Sequence, residues 1–323
     1  MFYFLHALKC SALTCRWFGI SRAICGWWLH KLDNIILNVV DHDRNSAALR
    51  YVYPVVSRRA GGVSVGINLN PNNACNWRCI YCQVPDLVRG TAPSVDLVLL
   101  EYELRGFLTE LLHGDFMQNR VPEGARRIND IALSGNGEPT SAAEFSQVIA
   151  LIARVRTELA LRFDSGQALP ETVKTVLITN GSLLYRPEVQ LGLRDMAKIS
   201  GEVWFKLDRA SEAGMLEIND THARMDKVRA NLVAATAACP TWLQTCWFAL
   251  DGVPPTRQDE DDYLTFVDSF LREGHALQGV LLYGLARPSQ QREAPRLSAL
   301  PAEALQDFAA RIEKLGLPVK ISV

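Results

Sequence analysis

The chain has 323 residues, and its 34 Lys and Arg against 35 Asp and Glu leave a net charge of -1, with 48% hydrophobic residues. This balance excludes a wholly basic nucleic-acid coat and an acidic solvating tail, while the length suits either two ordinary domains or a single α/β barrel. Eight cysteines are far too few for a disulfide scaffold of this length, so reduced thiols in a cytosol are expected and clustered cysteines become candidate metal ligands.

Residues 1–46 scatter aromatics and cysteines among His6, Lys9, Arg16, Arg22, His30 and Lys31, with no unbroken apolar run long enough to span a bilayer and no signal-peptide pattern. They are expected to form an unstructured or accessory extension rather than a membrane-surface helix. The organised domain is expected over 47–323. From residue 63 onward, short β-type runs at 63–69, 130–133, 173–179, 203–208, 242–248 and 279–283 alternate with helical patterns at 97–112, 142–162, 187–197, 211–237 and 261–273. A last helix at 301–315 leads into a strand at 319–323, and the polar stretch 290–295 before it reads as a loop or a short linker. This βαβ alternation predicts an α/β fold, a partial (β/α)6 TIM-like barrel plus a terminal strand, with every functional loop on the rim that follows the strands.

The loop after the first of these strands carries Cys75, Cys79 and Cys82, separated by three and then two residues. A structural zinc site needs a fourth ligand and usually a second cysteine hook, and none lies nearby. Three thiolates instead suit three irons of a [4Fe-4S] cubane and leave one iron open to an external amine and carboxylate. The plain alternative is three buried thiols in a turn. With Tyr81, the loop has the form Cys-x3-Cys-x-aromatic-Cys and resembles the radical S-adenosylmethionine (SAM) superfamily over roughly residues 60–290. Within that superfamily it is most similar to an uncharacterised iron-sulfur oxidoreductase group, distantly similar to wyosine-type tRNA-modifying enzymes.

The resemblance implies a [4Fe-4S] cluster held by Cys75, Cys79 and Cys82, SAM as cofactor, and a flavodoxin or ferredoxin-like electron donor. It also implies that Gly135, Gly137 and Glu138, after the second strand, match the superfamily's Gly-Gly-Glu motif, with Glu138 meeting the methionyl amine. Asn136 separates the two glycines and departs from that motif. Thr179 and Asn180 of the Thr-Asn-Gly stretch look like further cofactor contacts, although Asn180 and Ser182 would also serve as helix caps.

Alternation on the fourth strand puts Trp204, Lys206 and Asp208 on one face, and two opposite charges inside a strand are costly unless paired or lining a cavity. Asp208 is expected at the ribose hydroxyls and Lys206 at the cofactor carboxylate or the substrate, with a rim salt bridge between them as the alternative. Gln244 on the fifth strand is expected to hydrogen-bond cofactor or substrate, Cys246 to be a small buried hydrophobe, and Arg287 to grip an anionic group or to be a surface charge.

The expected reaction is reductive cleavage of SAM to a 5′-deoxyadenosyl radical that abstracts hydrogen from a small substrate. No second cysteine cluster follows the barrel, and about thirty-five residues after Arg287 are too few for an ordinary RNA-binding module. Modification of tRNA, activation of a partner protein and noncatalytic electron carriage remain alternatives, the first two drawing on the Arg58, Arg59, Arg126 and Arg127 doublets.

Overall fold

The computed structural model describes residues 49–57, 61–161, 169–285 and 287–322, so the expected extension at 1–46, together with Arg58 and Arg59, lies outside the described residues. The frame is an eight-stranded sheet of β1 (Val52–Ser57), β2 (Gly62–Ile67), β3 (Ile128–Leu133), β4 (Lys174–Thr179), β5 (Gly201–Lys206), β6 (Thr241–Cys246), β7 (Gly279–Tyr283) and β8 (Val319–Ser322). The strands lie side by side in chain order. The β1/β2 pair is antiparallel and every later pair is parallel. The sheet curls into an open partial barrel, and the α/β class expected from the alternation holds.

The crossovers carry α1 (Leu97–His113), α2 (Phe145–Leu161), α3 (Pro187–Ala197), α4 (Glu212–Asn219), α5 (Met225–Ala238) and α6 (Arg257–Arg272), with α7 (Ala302–Glu313) ahead of β8. These helices cover one face of the sheet. Along β5, Val203 and Phe205 are fully buried in the main core while Glu202, Trp204 and Lys206 alternate with them, so the predicted phase of that strand is correct. Burying each such apolar side chain contributes roughly 1.5–3 kcal/mol. The other face is left to line a cavity.

Three local features depart from the sequence reading. β1 was not expected, because Pro54 interrupts its apolar run; the strand lies at the sheet edge, where a missing N–H is tolerated. Glu103 of α1 fixes its start, accepting hydrogen bonds from the backbone N–H groups of Arg50, Tyr51 and Val52 at 2.8–3.1 Å. The single helix expected at 211–237 is two, α4 and α5, divided where Asp220 takes a left-handed conformation at φ 47°. Helix α6 begins earlier than expected, closed by a capping box between Thr256 and Asp259. Among the described residues no helix is long and apolar enough to cross a membrane.

Candidate active site

The loop after β2 is shaped first by asparagines. Asn68 and Asn70 are buried, Asn70 Nδ2 donates to the Ala74 carbonyl at 2.9 Å, and Asn73 adopts a positive φ that asparagine tolerates. The following stretch is held by partners far away in sequence. Backbone N–H groups of Arg78 and Ile80 donate to the carbonyls of Asn219 and Ile218, at the end of α4. The break after α4 turns Asn219 inward, where its Nδ2 donates to Cys79 Sγ at 3.2 Å and to Asp208 Oδ2 at 2.7 Å.

Arg78, between the first two cysteines, forms a bidentate pair with Glu293 at 2.9 Å and a further bond to Asp220 at 2.8 Å. Its guanidinium holds the Glu293 carboxyl down at about 2. Ser289 Oγ donates to the Ile80 carbonyl, Gln290 N–H to that of Cys82, and Gln291 Nε2 to that of Val84. The stretch read as a loop or linker is therefore a clasp over the cysteine loop.

Cys75, Cys79 and Cys82 form no disulfide, are partly buried, and line one cavity of about 300 Å³. That volume lies at the lower end of ordinary ligand sites. Burial pushes the thiols of Cys75 and Cys79 up to about 12. Such sulfurs become thiolates only beside strong positive charge, which iron supplies on coordination. Among the described residues no three His, Cys, Asp or Glu side chains converge as they would on a single ion. A cubane takes one thiolate per iron corner, so its ligands stand apart, and a three-thiol set facing one cavity fits that group.

The turn after β3 meets this loop. Gly135 sits at φ 147°, and a Cβ on Gly137 would stand 2.0 Å from the Ala74 carbonyl oxygen, so only glycine lets the two backbones approach. Asn136 between them has a positive use: its N–H donates to Asn68 Oδ1 at 3.0 Å and its Nδ2 to Asn73 Oδ1 at 2.6 Å. Glu138, 2% exposed, accepts from Thr140 N–H, Thr140 Oγ1 and Thr179 Oγ1 on Oε1, and from Asn180 N–H on Oε2. Burial nevertheless raises its pKa, against the lowering effect of those bonds. Asn180 Nδ2 donates to Asn76 Oδ1, and Asn76 Nδ2 to Ser182 Oγ, tying the turn after β4 to the residue next to Cys75.

Nine of the eleven residues singled out from the sequence line this one cavity: Cys75, Cys79, Cys82, Gly135, Gly137, Glu138, Asn180, Lys206 and Gln244. Thr179 and Asp208 stand behind its wall. Thr179 meets Glu138. The Asp208 carboxylate receives Tyr81 Oη at 2.5 Å, Asn219 Nδ2, and the Cys246 N–H at 2.8 Å, so both its oxygens are engaged by protein donors, and no rim salt bridge to Lys206 forms. Lys206 Nζ lies 3.2 Å from Tyr81 Oη, 3.4 Å from Tyr283 Oη and 5.2 Å from the Tyr81 ring centre. Burial pulls its pKa down, but Tyr283, Asp208, Cys79 and Cys246 around it outweigh burial and raise it. Cys246 is buried and also reaches the cavity, as does Arg287, whose Nη1 donates to Gln83 Oε1 at 3.3 Å. Arg126 and Arg127 precede β3, at the rim opposite the cysteines; Arg126 is spent on the carbonyls of Val121 and Gln118, and Arg127 on Asn129.

Compared with models of known protein families, the chain matches none. It is 25% identical over 247 residues to a "UPF0026 protein" of Helicobacter pylori, covering 76% of this chain and 68% of that one. To "UPF0026 protein MJ1312" of Methanocaldococcus jannaschii it is 27% identical over 184 residues, 56% of this chain and 48% of the relative. Among solved structures it is similar to "Structure of TYW1 with a lysine-pyruvate adduct bound", with TM-score 0.50 and 12% identity over 90% of this chain and 82% of that one. It is similar again to SuiB of Streptococcus suis bound to S-adenosylmethionine, with TM-score 0.50 and 10% identity over 81% of this chain and 47% of that one. The fold is that of the radical SAM enzymes. At such low identity the likeness concerns the radical SAM fold and carries no residue roles across.

Proposed function

We propose that the chain binds a [4Fe-4S] cluster through Cys75, Cys79 and Cys82 and cleaves SAM reductively, abstracting hydrogen from a small substrate. The observation that carries this reading is that three cysteines outside any disulfide, a buried carboxylate and a lysine face one cavity on the strand-end rim of a radical SAM fold. When bound, the cluster supplies the single electron that breaks a carbon-sulfur bond of the sulfonium.

The chain's own residues do the rest. Glu138 offers its Oε2, which carries one protein donor where a carboxylate oxygen accepts about two, to the methionyl ammonium. Thr179 holds Glu138 in place, and Asn180 and the backbone around Gly135 and Gly137 shape the adjoining wall. Lys206 brings the positive charge that the methionyl carboxylate requires. Asp208 contributes from behind the wall by fixing Tyr81, Asn219 and through them Cys79. Buried tyrosines and tryptophans around the cavity limit water at the reacting atoms.

A small substrate suits the cavity better than tRNA, because the described basic doublet is committed within the chain at the far rim. A flavodoxin or ferredoxin-like donor in a reducing cytosol fits the electron requirement. The test is anaerobic iron and sulfide reconstitution, reduction with dithionite, addition of SAM and chromatography for 5′-deoxyadenosine. Its release supports the reading, whereas a loaded cluster with neither SAM binding nor 5′-deoxyadenosine refutes it and leaves a noncatalytic electron carrier.

A further inference from the structure

The cavity continues below the residues assigned to the cofactor. Asp130 is four residues before Ser134 on the same chain segment, so it sits ~13 Å along the strand toward the rim opposite the cysteines. It is 5% exposed and lines the cavity, and Ser64 Oγ donates to its Oδ1. Among the described residues no lysine or arginine forms an ion pair with it; the nearby Lys174 is paired with Glu202. Buried carboxylates are normally paired or saturated with donors, and this one has a single hydroxyl. On β6, three strands away in the sheet and in register with Lys206, Gln244 is 2% exposed, lines the same cavity, and its Oε1 has no hydrogen-bond partner. Two buried acceptors facing one cavity call for donors from a ligand.

We propose that the cavity recognises a small substrate bearing a protonated amine, seated on Asp130 with Ser64 at the inner end, and a second N–H or O–H donor that meets Gln244 beside Lys206. Ser64 orients the carboxylate and Gln244 fixes the far side of the molecule. A carboxylate paired with ammonium in a dry site discriminates strongly against a neutral analogue, because the latter leaves the charge buried and unpaired. The inference rests on the reading that the mouth of the cavity takes SAM, but its test does not.

The test uses the reconstituted 323-residue chain at pH 7.5 in 0.2 M KCl, titrated with 4-amino-1-butanol hydrochloride, which carries both donors, and, as the neutral counterpart, 1,4-butanediol, and followed by ligand-detected NMR. Saturable binding of 4-amino-1-butanol, at least tenfold weaker in Asp130→Asn and weakened in Gln244→Leu, with none for 1,4-butanediol, is expected. Circular dichroism checks that both variants are folded. Absence of saturable amine binding by the unmodified protein, equal binding by Asp130→Asn, or equal binding of the diol overturns the proposal. Amine binding in a protein that releases no 5′-deoxyadenosine sinks the cofactor reading alone, and the reverse result sinks the substrate inference alone.

Discussion

Replacing Asp130 by Asn should change how stability depends on pH, by an amount the structure sets. Burial pushes the Asp130 carboxyl from 3.8 to about 6, with Ser64 drawing it down, Glu202 pushing it up and Lys174 lowering it. Between those values the folded chain keeps a proton that the unfolded chain has released, so stability falls as pH rises from about 4 to about 6 and then levels off. At about 1.4 kcal/mol per pH unit, the loss approaches 3 kcal/mol. Asn cannot ionise, so Asp130→Asn escapes this loss. Urea unfolding of both proteins at pH 4.5, 5.5, 6.5 and 7.5 reads it directly, because other titrating groups cancel in the difference. The variant should gain on the parent by about 2–3 kcal/mol across the range, whatever the offset at the acid end. Parallel curves would show that Asp130 is not held in the protonated form, and the account of an unpaired buried acid would be wrong.

Cys79→Ala should lose the brown iron chromophore and 5′-deoxyadenosine release together, checked by iron content and chromatography. Glu138→Gln should keep the iron yet weaken SAM binding by roughly 10- to 100-fold, the range expected when a charge-assisted hydrogen bond is lost, as measured by anaerobic equilibrium dialysis. Glu293→Ala removes the bidentate partner of Arg78 and should cost about 1–3 kcal/mol. The same variant should surrender iron to a chelator faster than the parent, since the clasp on the cysteine loop is opened.

The barrel and the candidate cysteine ligands were legible because both are local patterns: β-type runs alternating with helical ones, and three thiols at fixed spacing after a strand. Glu138 followed from its place beyond the next strand. What sequence left hidden depends on residues distant along the chain. Asp208 was placed in the correct phase, but Tyr81, Asn219 and Cys246 claim its oxygens, and none of the three adjoins it in sequence. The break between α4 and α5 escaped notice because apolar spacing continues across it, while the left-handed Asp220 is stabilised by Arg78. Asp130 did leave a signal. A carboxylate inside a buried strand is as costly as the charges of Lys206 and Asp208 and points to a cavity for the same reason.

Counting donors separates the buried acids by role. Glu103 takes three backbone N–H groups and Asp208 takes three donors from three elements, so each is satisfied within the fold and holds chain segments together. Glu138 has three donors on one oxygen and one on the other, which orients it while leaving room for one more. Asp130 has a single hydroxyl. A fold stabilised by its own polar contacts has no use for an acid left this bare in a cavity, since an apolar residue of similar size would cost less. The gradient from saturated to nearly unpartnered runs from the packed side of the sheet into the cavity. An acid at its bare end is matched by a ligand that brings its own positive charge.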